Sequence, residues 1–370
     1  MSKAPKSRLQ SKNTETTKRR KSQNKSATNS VQDGETIEDV IHHLSSLPSK
    51  KNMYDAVTGH ARITADGFVK NIEKNYRLPV PIHEKRRVKL EKDEDYLPAQ
   101  YVKLENSEYV ITQAPVKQNH RDIWRLVWQD QIKIMVCLCH DDQIGDDDKK
   151  CFPYFQMESG ASKEFENKKG KFVVNCKNKE GLSMGVTKYE FEMSTKDGEE
   201  EKSTGVKEDD PTGASAGGKV LAITMFHMNG WSGKAEKEPF ENASSVALLC
   251  KEVFKAEMAV LRKSMENFVP PVLIQSFDGI YRAAIVWVNL MLMKDVEKRE
   301  CFDVPELIRK IMKMRPGSLS TYHSFCFSFA VALHVGKEAT WLSDSEMNSR
   351  IGDLTKGYND RKLNEQGIPL

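Results

Sequence analysis

No uninterrupted apolar run of about 18 residues occurs in this 370-residue chain, so the sequence offers no membrane-spanning helix. The amino terminus also lacks the apolar core of a secretory signal and is basic and polar instead. Cysteine is sparse and odd in number: seven residues, at positions 137, 139, 151, 176, 250, 301 and 326. Their scatter through apolar and strand-like stretches argues against a disulfide framework and for reduced, buried thiols of the cytosol or nucleus. Cys137 and Cys139 stand one residue apart on a strand pattern and so face one side. No second pair and no histidine follows them at zinc spacing. Neither a metal site nor a cofactor is expected.

Acidic and apolar residues are almost missing from the first 35 positions. Over the first 25, nine lysines and arginines face a single acid, Glu15. Such a stretch buries too little surface to offset its ordering entropy, so residues 1–35 are expected to be disordered. Lys18-Arg-Arg-Lys21 is compatible with a nuclear localisation signal, with nucleic-acid or anionic-lipid contact, and equally with a solvated tail. No aromatics interleave the basic residues, which weakens the nucleic-acid reading. The formal net charge of +4 resides largely in this tail, leaving the rest near neutral.

The chain has 38% hydrophobic and 30% charged residues, enough for one large domain or two small ones. From Thr36 the pattern turns helical (Ile37, Val40, Ile41, Leu44), and a second helix is expected over about 53–73. Arg87–Leu90 and Tyr101–Leu104 read as strands, and Ile132–Cys139 as a central strand covered on both faces. Trp124 and Trp128, spaced i, i+4, share one helical face. Residues 196–219 are acidic and rich in glycine and serine, the pattern of a flexible surface insertion. Helices are expected over 244–263, 304–314 and 324–333, and a loosely held polar tail from 338 to 370.

The most informative stretch is Val272 to Trp287: a short apolar strand, a turn over Gln275–Tyr281, then an almost wholly apolar helix opened by Arg282. A buried strand feeding a buried helix through a tight turn is an anion-binding geometry, because backbone N–H groups converge on a positive helix end. A guanidinium there can clamp a phosphate bidentately.

This spacing resembles the H-C-x5-R signature of the protein tyrosine phosphatases. Gln275 stands at the His position, Ser276 at the nucleophilic Cys and Arg282 at the phosphate-binding Arg, with Phe277, Asp278, Gly279, Ile280 and Tyr281 between. The frame of the family recurs elsewhere. Tyr109-Val-Ile-Thr-Gln-Ala-Pro115 is similar to its Y-I-A-T-Q-G/A-P, and Asp122-Ile-Trp-Arg-Leu-Val-Trp128 to the helix that follows. Asp95–Gln100 resembles D-Y-I-N-A, Lys150–Phe155 resembles K-C-x-x-Y-W-P, and Met314-Arg-Pro-Gly317 resembles M-R-x-G. Lys74-Asn-Tyr-Arg77 resembles the K-N-R-Y segment, which places Tyr76 at the ring-stacking aromatic, with Leu78 where an Asp is usual.

The resemblance implies a twisted mixed sheet with helices on both faces, an α/β fold over residues 36–337. It also implies which chemistry is missing. Trp231 is followed by Ser232 and Gly233, so Gly233 holds the place of the general acid. Ser320 and Ser324 stand where two water-positioning glutamines belong. The implied protein is a divergent, nematode-type pseudophosphatase. It would be a monomeric binding or scaffold module for a kinase or a tyrosine-phosphorylated protein, cytoplasmic, with the nucleus as the alternative compartment. A residually active phosphatase, and nucleic-acid or membrane-surface association through the basic tail, are the alternatives. Any remaining ligand cleft would be built from Arg282, Tyr76, Gln275, Ser276, Asp278, Gly279 and Trp231. Asp278 is expected to repel a phosphate dianion and to pair with Arg282.

Overall fold

The computed structural model describes residues 67, 70–71, 74–75, 82–91, 96–104, 107–147, 149–167, 170–195, 219–231, 239–263, 269–298, 304–315, 317–319, 321–338 and 342–366. The basic tail, the helix expected after Glu35 and all but the last residue of the insertion lie outside them, as does most of the helix expected over 53–73.

Among the described residues nine strands form one sheet: β1 (Arg87–Lys89), β2 (Tyr96–Leu104), β3 (Ser107–Gln113), β4 (Ile134–Cys137), β5 (Ser162–Asn167), β6 (Gly170–Ser183), β7 (Val186–Thr195), β8 (Val220–Met228) and β9 (Val272–Ser276), in the order β1-β2-β3-β9-β4-β8-β7-β6-β5. The central four, β3, β9, β4 and β8, run parallel, while the outer pairings are antiparallel. The six α-helices among the described residues are α1 (Asp122–Gln129), α2 (Ala243–Lys263), α3 (Tyr281–Lys298), α4 (Val304–Met314), α5 (Tyr322–Glu338) and α6 (Asp344–Gln366).

The unbroken apolar runs of β4 and β9 follow from their position, because each has a core on either face. Ile134 and Val136 of β4, with Val272 and Ile274 of β9, pack with α2, α3 and α5. Met135, Cys137 and Leu273 point the other way, into an aromatic layer beside α1. There Trp124 is fully buried and donates its indole N–H to the carbonyl of Tyr154 at 2.7 Å. Its neighbour on the helical face, Trp128, sits at the rim of this layer against Phe172. Helix α3 is buried from Arg282 through Leu292, as its apolar sequence predicts.

One expectation is corrected. The segment from 338 to 370 reads as a loose tail, yet Asp344–Gln366 is helical. Met347, Ile351, Leu354 and Tyr358 recur at i, i+4, i+7 and i+11, and this stripe packs on the helical side of the core. Ser343 and Glu346 cap the start reciprocally: Glu346 N donates to Ser343 Oγ and Ser343 N to Glu346 Oε2.

Candidate functional site: a self-capped turn at the carboxyl ends of the parallel strands

The parallel strands β3, β9, β4 and β8 end on the same side, where open α/β sheets place their ligand crevice. Strand β9 ends at Ser276, the chain turns over 277–280, and α3 begins at Tyr281. The turn is braced from both neighbours. Ala114 N donates to the Phe277 carbonyl at 3.3 Å, and Leu138 N to the Gln275 carbonyl at 2.8 Å. Gly279 has φ +68°, and a Cβ there would lie 2.9 Å from Gln113 N, so the position admits glycine only. The Gly279 carbonyl accepts Arg315 Nε at 3.2 Å.

Inside the turn the hydrogen bonds close on themselves. Ser276 Oγ accepts Gly279 N at 3.0 Å and donates to Asp278 Oδ1 at 3.2 Å. The same Oδ1 accepts Ile280 N at 2.8 Å and Tyr281 N at 3.1 Å. One carboxylate oxygen thus gathers three donors, an arrangement that also caps α3. The helix end favours the negative charge. Behind the turn, Arg315 is fully buried and close enough to Asp278 to interact electrostatically. Burial pulls the Arg315 guanidinium down to about 10, while Asp278 acts in the opposite sense.

Arg282 does not form the expected ion pair with Asp278. Its Nη1 donates to the Leu138 carbonyl at 2.7 Å and to Gln143 Oε1 at 3.0 Å, and its guanidinium carbon lies 5.0 Å from the Trp231 ring centre. The reason is directional: Asp278 is turned inward onto backbone N–H groups, and Arg282 is held by the segment after β4. Trp231 itself is buried and stacks on Phe327 at 5.2 Å.

Gln275 is buried beneath the turn. Its Nε2 lies 3.1 Å from Cys139 Sγ, and its Oε1 accepts the Tyr154 hydroxyl at 3.3 Å. Burial pushes the Cys139 thiol well above its ordinary range, so this sulfur is a poor source of thiolate. Ser324 is fully buried and engaged with Thr321: its Oγ donates to the Thr321 carbonyl at 2.8 Å and accepts Thr321 Oγ1 at 2.9 Å. Tyr76, Gly233 and Ser320 lie outside the described residues.

Three contributors escape sequence reasoning. Gln143 is a neutral residue in an acidic loop. Arg315 is recognisable only as part of the M-R-P-G frame. Tyr281 donates its hydroxyl to His323, whose other ring nitrogen lies 2.6 Å from the Pro239 carbonyl. Asp278 also carries a capping signal, as an acid placed three residues before a helix start.

The model of the protein-tyrosine phosphatase family matches residues 71–334, more than half of the chain. The chain belongs to the protein-tyrosine phosphatase family. Among its relatives in that family, mouse tyrosine-protein phosphatase non-receptor type 20 is 22% identical over 72% of this chain and 54% of its own length. Rat receptor-type tyrosine-protein phosphatase zeta is 25% identical over 79% of this chain, but that match covers only 12% of the relative. Tyrosine phosphatase-like protein J1 of Microplitis demolitor bracovirus (isolate Webb) is 23% identical over 70% of this chain and 80% of its own length. The chain therefore spans about half, or far less, of the first two relatives. No helix among the described residues is long and apolar enough to cross a membrane, and no metal-binding group of His, Cys, Asp or Glu occurs among them.

Proposed function

We propose that this phosphatase-family chain is a non-catalytic binding module, one that retains the scaffold and has lost the phosphoester chemistry. The observation that supports this most directly is the position of Asp278 Oδ1. It takes up the backbone N–H groups of Ile280 and Tyr281, which an incoming phosphate would need. A second anion placed about 4 Å away would meet a repulsion of about 1–4 kcal/mol, depending on local dielectric.

The nucleophile position agrees. Ser276 Oγ is buried and already donates to Asp278, with no histidine or lysine among its described partners. A hydroxyl without a base is not activated for attack. Cys139 offers no substitute, since its sulfur sits under Gln275 and its thiol is held protonated by burial. The sequence adds Gly233 at the general-acid position and Ser320 and Ser324 at the water-positioning ones. Proteins of kinase and phosphotyrosine signalling are the partners this family membership suggests.

Assay of the full-length chain with para-nitrophenyl phosphate and a phosphotyrosine peptide tests the reading. The expected result is no turnover above the blank, and peptide affinity unchanged by Arg282→Ala. Turnover that Arg282→Ala abolishes would overturn it in favour of an active phosphatase.

A further inference from the structure

If the turn carries its own anion, a partner must be held elsewhere on the surface, and one groove offers the room. It lies between the C-terminal half of α2 and the β7–β8 pair and encloses about 700 Å³, the size of a ligand or short-peptide site. Its form follows from small side chains. Ala256, Ala259 and Lys263 share one face of α2, and Ala222 and Thr224 face them from β8. Both Ala222 and Ala259 are exposed, so the groove is open along its floor.

The charges of the rim are unevenly matched. Each carboxylate lining the groove already has a lysine: Glu192 pairs with Lys177 at 3.0 Å and Glu252 with Lys255 at 2.7 Å. Glu180 and Glu190 both reach Lys188, at 3.7 and 2.9 Å. Lys133 and Lys263 also line the groove; both are exposed, and neither has an ion pair among the described residues. The groove therefore presents a short apolar floor and two uncompensated ammonium groups.

We infer that this groove docks an acidic segment of a partner protein, with carboxylates reaching Lys133 and Lys263 and small apolar side chains lying over Ala222, Ala256 and Ala259. The inference rests on the non-catalytic reading above, and it names the surface and the partner chemistry that reading lacks.

A fluorescein-labelled peptide of alternating glutamate and leucine, with its lysine counterpart, tests it by anisotropy on the full-length chain. The acidic peptide is expected to bind, with affinity falling as salt rises. Lys133→Glu/Lys263→Glu should weaken it at least ten-fold, and so should Ala259→Trp, which fills the groove without changing charge. Hydrogen exchange should show protection over 252–263 and 220–226. Equal affinity for the lysine peptide, no effect of either groove variant, or loss of binding in Arg282→Ala alone would overturn the assignment. So would binding seen only after deletion of residues 197–211, which would give the groove to the chain's own acidic insertion. Turnover of para-nitrophenyl phosphate would sink the non-catalytic reading and leave the groove result standing.

Discussion

Asp278 Oδ1 accepts the backbone N–H of Tyr281 at 3.1 Å, which ties the acid of the turn to the first residue of the helix that carries Arg282. This contact is worth about as much as a helix N-cap. Asp278→Ala should destabilise the chain by about 1 kcal/mol, read as a lower midpoint in urea with unchanged slope. Asp278→Asn keeps the acceptor oxygen and should fall between the two. A neutral effect of Asp278→Ala would show that the carboxylate is not the cap described above.

Gly279 separates backbone requirement from chemistry. With φ +68° and Gln113 N 2.9 Å from a would-be Cβ, Gly279→Ala must shift the turn away from β3. The expected loss is about 1–3 kcal/mol. Thermal melts of the variant check this, and a melting temperature equal to that of the parent would contradict the turn geometry.

At the opposite end of the sheet, Lys294 of α3 and Glu257 of α2 form an ion pair with both side chains 7% exposed. Lys294 also donates to Ser107 Oγ at 2.9 Å and lies over the Tyr109 ring. Glu257→Ala removes the carboxylate partner of a buried ammonium and should cost about 3–5 kcal/mol. The double variant Glu257→Leu/Lys294→Met should recover most of that loss, because two apolar groups replace two desolvated charges. Denaturation of the single and double variants decides between a net-stabilising pair and one that is merely costly to break.

His227 gives the fold a signature in acid. It is fully buried at the end of β8, with Nε2 2.7 Å from the Cys139 carbonyl. Burial lowers its pKa below the ordinary 6.5, with the Cys139 hydrogen bond and Asp141 opposing and His140 and Lys179 assisting. The unfolded chain therefore binds the extra proton first, and stability falls as pH drops from 6.5 towards the lowered value. Urea titrations across that window should show the loss in the parent and a shallower slope in His227→Asn, which keeps a donor but cannot titrate.

The frame was readable from sequence because its signals are geometric. The nearly continuous apolar run at Ile132–Cys139 and the run Val272–Ile274 belong to strands with a core on each face, and the tight spacing from Gln275 to Arg282 leaves room only for a turn. The last helix was not legible, since its composition is polar. The stripe Met347, Ile351, Leu354 and Tyr358 and the Ser343–Glu346 capping pair were the signals to weigh. Asp278 was legible only in part. Its carboxylate was expected inside the nest, where it repels a phosphate, and it does take up the nest N–H groups; the pairing expected with Arg282 is replaced by those backbone bonds. Position along the chain does not say which way a short side chain turns; the inventory of nearby N–H groups does.

An acid held on the same chain competes at a local concentration fixed by covalent reach, on the order of millimolar or more for a short tether. On the non-catalytic reading proposed above, free phosphoesters at micromolar levels would not outbid it, and phosphorylated tyrosine would not be a signal for this turn.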